Sequence, residues 1–112
     1  METINWSDFE KIDIRTGTIT HADDFAGARK PAYKLTIDFG PEIGIKKSSA
    51  QITKMYKPED LLGLQIIAII NFPPKQIANF YSECLVLGIY DENKDVILLK
   101  PERTMSNGMK IG

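Results

Sequence analysis

The sequence is nearly without cysteine and histidine, the side chains that most often make zinc sites and thiol or imidazole catalysis. Among 112 residues there is one cysteine, Cys84, and one histidine, His21. A lone thiol cannot close a disulfide within the chain, which fits a reducing compartment. One histidine and one cysteine cannot make a zinc site of the usual spacing, so no metal is expected. Cys84 stands in SECLVLG, beside an apolar run. It is expected as a buried structural thiol rather than a nucleophile. The eight glycines are dispersed and form no phosphate-cradling loop. No local arrangement points to a Ser-His-Asp set. The expectation is a protein with no catalytic residue, no cofactor and no enzyme activity.

Long apolar runs are also missing. None approaches the ~20 residues that cross a bilayer as a helix. The opening METINWSDFEK carries acids early and lacks the apolar centre of a secretory signal, so a cytoplasmic location is the default expectation. An excess of one charge is missing too. The formal net charge is −1, which excludes a uniformly basic coat for nucleic acid. The distribution is uneven, however. Residues 1–28 carry two basic and six acidic groups, residues 29–75 eight and four, and residues 76–112 four and five. The middle of the chain is a local basic region on a near-neutral protein.

What is present suits a single domain spanning residues 1–112. The hydrophobic and charged fractions, 43% and 26%, are ordinary for a globular chain. SDFE at residues 7–10 has capping-box form with Ser7 as N-cap, which predicts a short helical turn. In IDIRTGTITHA the apolar parity changes across Gly17, which predicts a bulge in a long first strand. AYKLTIDF alternates, with Tyr33, Leu35, Ile37 and Phe39 on one face. GPEIG is a turn, and IKKSSAQI is an unusually polar strand. KPEDLLG predicts a short helix, begun by Pro58 and ended by Gly63. LQIIAII and CLVLGIY read as strands buried on both faces. DENKD reads as a hairpin turn into VILLK, and Asn107-Gly108 as a turn in the tail.

This inventory predicts an all-β fold. A five-stranded OB-fold barrel carries its short helix between strands three and four, as here, with an N-terminal helical turn and a C-terminal extension added. An SH3-like barrel is the alternative. Between two apolar runs lies NFPPKQIANFYSE, residues 71–83. It is too long and too mixed for a plain turn, and a binding loop is expected there.

FEKIDIRTGTI resembles the opening strand of the tRNA-binding domains appended to methionyl- and phenylalanyl-tRNA synthetases, which are OB-folds. The resemblance runs over nearly the whole chain. It includes Lys34-Leu35, the serine-bearing strand with Ser48, Ser49 and Gln51, and an N-x-x-P-x-K-I stretch approximated by Asn71, Pro74, Lys75 and Ile77, with Ser82 following. The chain departs at Asn79 and Cys84, where glycine is frequent, and in the first loop, DDFAGARKPAYKL. That loop, QIANFYSE and LVLG are similar to the stand-alone CsaA family of export-related chaperones built on a tRNA-binding domain. The resemblance implies a homodimer, tRNA and unfolded precursor polypeptides as ligands, a role in protein export, and a secretion ATPase as a further partner.

Two functions follow as expectations. For structured RNA, OB-folds use the face of strands two and three and the adjoining loops. Lys34, Lys46, Lys47 and Lys54 would supply positive charge, and Lys75 would reach a phosphate. Ser49, Gln51, Asn71, Asn79 and Ser82 would supply neutral hydrogen bonds. Holding a polypeptide needs exposed apolar surface, for which Phe25, Tyr33, Tyr56, Phe72, Phe80 and Tyr81 are candidates. RNA binding with no polypeptide role is the alternative. In the tail TMSNGMKIG, Met105, Met109 and Ile111 remain after the barrel strands are assigned, and they are expected in a dimer interface.

Overall fold

A computed structural model describes all 112 residues. Helix α1 (Trp6–Glu10) begins two residues before the expected point. Its N-cap is Asn5, whose backbone N–H donates to Asp8 Oδ2 at 3.0 Å. The earlier start sets the Trp6 and Phe9 rings one turn apart, 5.3 Å between centroids.

The barrel strands are β1 (Ile14–Asp24), β2 (Tyr33–Asp38) and β3 (Ile45–Ala50), followed by helix α2 (Pro58–Leu61) and β4 (Gln65–Ile69). Beyond them come β5 (Lys75–Ile77), β6 (Phe80–Ser82), β7 (Leu85–Val86), β8 (Gly88–Tyr90) and β9 (Val96–Leu98). One antiparallel sheet runs β3-β2-β1-β4-β7. Its ends curl together where Glu83 N–H donates to Lys47 O at 2.7 Å and Ser48 Oγ donates to Cys84 O at 2.8 Å. The result is a nearly closed five-stranded barrel with its helix between the third and fourth strands, an OB-fold.

The core follows from alternation on β2. Leu35, Ile37 and Phe39 point inward and meet Ile19, Ile66 and, from α2, Leu61. Gly17 also points inward, and its role differs from the one expected. A β-carbon there would lie 2.7 Å from Phe39 Cε1 and 2.8 Å from Ile37 Cγ2. Glycine is needed for close packing rather than for a bulge. The irregularity in β1 falls later, between Ile19 and His21, in its pairing with β2. The parity change has a simpler cause, because Ile14 faces outward.

Outward-facing apolar residues recur on β4 and β7. Ile66, Ala68 and Val86 pack on the core, whereas Ile67, Ile69 and Leu87 are only half-buried and Leu85 is exposed. The expectation that these strands are buried on both faces does not hold within one chain. The C-terminal extension takes the edge of β1 that β2 leaves open. Gly108 N–H donates to Thr16 O at 2.7 Å, Thr16 N–H to Met109 O at 3.0 Å and Ile111 N–H to Ile14 O at 2.9 Å. Gly108 has φ +82°, as the Asn-Gly turn requires.

Candidate nucleic-acid interface

The site grows from the outer face of β2 and β3. Lys34 lies opposite Ser49 and Thr36 opposite Lys47, all on the outward parity. Lys46 lies opposite Ile37 and shares the inner parity of Ser48 and Ala50. The two-residue strand period therefore separates Lys46 from Lys47.

Two segments rise from this face. Residues 25–32 form the first loop, pinned where Phe25 N–H donates to Ala32 O at 3.1 Å. The second is a hairpin rather than a loop, with β5 paired to β6 around Ala78-Asn79. Ala78 takes φ +53° and Gln76 Nε2 donates to its carbonyl at 3.0 Å. β6 leans on β3, where Ser49 N–H donates to Ser82 Oγ at 3.3 Å. The two segments clasp through Phe25 and Phe80, edge to face with centroids 5.2 Å apart. Lys34 Nζ lies 5.7 Å from the Phe25 ring, within cation–π range.

Between loop and hairpin is a cleft of about 280 Å³, lined by Ala28, Arg29, Lys30, Ala32, Ser49, Gln51, Lys75 and Ile77. Three cations line it and no acid does. None of the three is in an ion pair. The side chains of Ser49 and Gln51 make no hydrogen bond within the protein, so both are free for a ligand. A neighbouring cavity of about 240 Å³ shares Lys30 and Gln51 and extends past Lys54, which pairs with Asp95 at 3.8 Å. Arg29 and Lys30 were not among the residues expected from sequence. The signal available for them was the basic pair in GARKP, inside the basic stretch.

Other expected residues are placed differently. Asn71 is a clamp on the N-terminal segment: its Nδ2 donates to Lys11 O at 2.7 Å and its Oδ1 accepts from Asp13 N–H at 3.0 Å. Asn79 is exposed at the hairpin tip. Phe25 and Tyr33 are buried, which withdraws both from an exposed polypeptide surface. Tyr33 OH donates to Tyr56 O at 2.7 Å, and Tyr56 OH accepts from Leu98 N–H at 3.0 Å. Burial raises the Tyr33 pKa, in keeping with a packed phenol. Phe80 is half-buried in the clasp, leaving Phe72 and Tyr81 as the exposed members of the set. An apolar cavity of about 490 Å³, which shares Ser49 and Gln51 with the cleft, opens where β3 and β7 part, lined in the main by Ala50, Ile52, Leu85, Val86, Tyr90 and Leu98. In the tail, Met105 and Met109 are exposed and Ile111 is half-buried.

Residues 14–110 match the family described as "Putative tRNA binding domain". The methionine–tRNA ligase of Methanocaldococcus jannaschii is 35% identical over 111 residues, 99% of this chain and 17% of the ligase. That of Pyrococcus horikoshii is 33% identical over 111 residues, 99% of this chain and 15% of the ligase. The chain therefore spans only a small part of these relatives. Among solved structures, the chaperone CsaA of Bacillus anthracis str. Ames superposes with TM-score 0.93 at 56% identity, covering 99% of this chain and all of that one. The CsaA chaperone protein of Picrophilus torridus gives 0.92 at 55%, covering 98% of this chain and all of its own. The likenesses read from the sequence, to CsaA and to synthetase-appended domains, are borne out.

Proposed function

This chain belongs to the family of tRNA-binding domains, and from that premise we propose that it binds tRNA in the cleft between the 25–32 loop and the β5–β6 hairpin. One observation carries the reading: Arg29, Lys30 and Lys75 line one cleft with no acid among them. Phosphate contacts by such cations orient an RNA without specifying its sequence. Ser49 and Gln51 add neutral hydrogen bonds, and Lys34 and Lys47 extend the positive face along β2 and β3. The aminoacylation activity of the ligases is not carried over, since the chain matches so little of their length.

The test is a set of tRNA titrations at several salt concentrations. If Lys75 neutralises one phosphate, Lys75→Ala flattens the plot of log affinity against log salt by roughly 0.7 to 0.9. The loss is expected to be equal for two tRNAs of unrelated sequence. A folded Lys75→Ala protein with unchanged affinity and slope would remove the cleft from RNA binding.

A second role is favoured by the apolar cavity between β3 and β7. We propose that it receives apolar side chains of unfolded polypeptides, which fits the likeness to proteins described as chaperones. An export role and a secretion ATPase as partner belong to this reading. Its binding should survive moderate salt, because apolar burial is not screened. Peptide arrays probed with wild type and Tyr90→Ala, a cavity residue that is exposed and outside the core, test it; identical patterns would defeat it. A homodimer, with the outer face of β4 and β7 as its contact, completes the proposal.

A further inference from the structure

We infer that the cleft takes unpaired nucleotides of the RNA rather than the backbone of a duplex. The inference rests on the tRNA reading above and specifies what part of the RNA enters. Four observations carry it. The first is shape. The cleft and its neighbour measure about 280 and 240 Å³. Both fall below the roughly 300 Å³ at which clefts hold drug-sized molecules. A duplex can offer such a space only the edge of one strand, whereas a single unstacked base can enter it.

The second is the chemistry of the walls. Ile77, Ala28 and Ala32 give the cleft apolar sides, and an unstacked base needs such sides for its faces. A phosphate rail of a duplex has no use for them. The third is Gln51. It is exposed, makes no hydrogen bond within the protein, and lines both cavities. Its amide offers donors and an acceptor side by side, the pattern that reads a base edge. The fourth is the run of positive charge. Lys75 and Arg29 line the first cavity, Lys30 belongs to both, and Lys54 lines the second. A strand passing from one cavity to the other meets a cation at each step, as a single-strand groove requires. Asp95 weakens the second cavity by pairing with Lys54, so the first holds the stronger contact.

Lys75 then acts as a phosphate contact and Gln51 as a specificity-determining residue. The experiment is competition against labelled tRNA by short single-stranded oligo-U, oligo-A and oligo-C and by a blunt RNA duplex. Wild type, Gln51→Ala and Lys75→Ala are compared. The single strands are expected to displace tRNA better than the duplex. Gln51→Ala should change the ratio of affinities among the three oligonucleotides by about threefold, the size of one modest hydrogen bond. Lys75→Ala should weaken all three by a common factor. If tRNA binds but the duplex competes better than every single strand, this inference falls and the tRNA reading stands. An unmoved ratio in Gln51→Ala likewise overturns it. If tRNA itself fails to bind, both readings fall together.

Discussion

Cys84 shows how much one side chain's surroundings decide. It is buried among core residues, and its thiol faces Lys47 O at 3.8 Å. Burial pushes its pKa from 9.0 up to about 11. The folded thiol therefore keeps its proton at pH values where the unfolded one has lost it. Above pH 9 the unfolded state binds fewer protons, so stability must fall as pH rises from about 9 to about 11. Two pKa units correspond to a loss on the order of 2 kcal/mol. Urea unfolding of wild type and Cys84→Ala at pH 8 and pH 11 (roughly the ends of that window) isolates the effect. The advantage of the wild type should shrink by that amount, and a constant difference would mean that the thiol ionises freely in the folded state. The burial of Cys84 was legible from its apolar neighbours, and the turn at Asn107-Gly108 from its own two residues. The packing role of Gly17 was not, because the rings and methyls that crowd it belong to β2 and its end, far along the chain.

At the scale of elements, the β5–β6 hairpin is the feature that sequence described least well. Its turn is Ala78-Asn79, and a residue with a β-carbon at φ +53° is not among the pairs that signal a hairpin. Helix α2 was legible for the opposite reason, since Pro58 and Gly63 mark its ends locally. The expectation that Lys46 and Lys47 act together on one face missed the two-residue strand period, which sends them to different sides and takes Lys46 off the outer face. What holds the hairpin over the cleft is Phe80 against Phe25, a contact between segments distant in sequence. Phe80→Ala should cost about 2 kcal/mol of stability, through lost burial and the lost ring pair. It should also weaken tRNA binding several-fold, although Phe80 does not line the cleft, because hairpin and loop lose their clasp (a fold-change of about one to two lost polar contacts). Tyr81 is exposed on the same strand, so Tyr81→Ala should leave both quantities unchanged. Equal effects of the two substitutions on tRNA affinity would show that the clasp does not shape the cleft.

On the scale of the whole molecule, the basic cleft and the apolar cavity adjoin along β3 and share Ser49 and Gln51. The basic stretch read from composition becomes a cleft only when Arg29 and Lys30 in one loop meet Lys75 in a hairpin, which no local pattern encodes. The apolar surplus behaves similarly. LQIIAII and CLVLGIY carry apolar residues on both parities, and only one parity enters the core. Ile67, Ile69, Leu85 and Leu87 are left on the outer face, while exposed Met105 and Met109 lie along the tail. The tail is fixed to β1 by backbone hydrogen bonds, and we place the proposed contact on β4 and β7, with the tail's methionines as the competing site. A second copy presents the same apolar patch, and two such patches related by a two-fold axis cover each other. A stable contact buries about 800 Å² on each partner, at roughly 25 cal/mol per Å² of apolar surface. Leu85 is 47% exposed, and its substitution should not disturb the core. Sedimentation equilibrium of the wild type is expected to give a dimer at micromolar concentration, and Leu85→Asp a folded monomer. Cutting the chain after Arg103 should weaken the dimer less than Leu85→Asp does, provided the shortened chain keeps its circular dichroism. A monomeric wild type would overturn the assignment, and a monomer from truncation alone would return the interface to the tail.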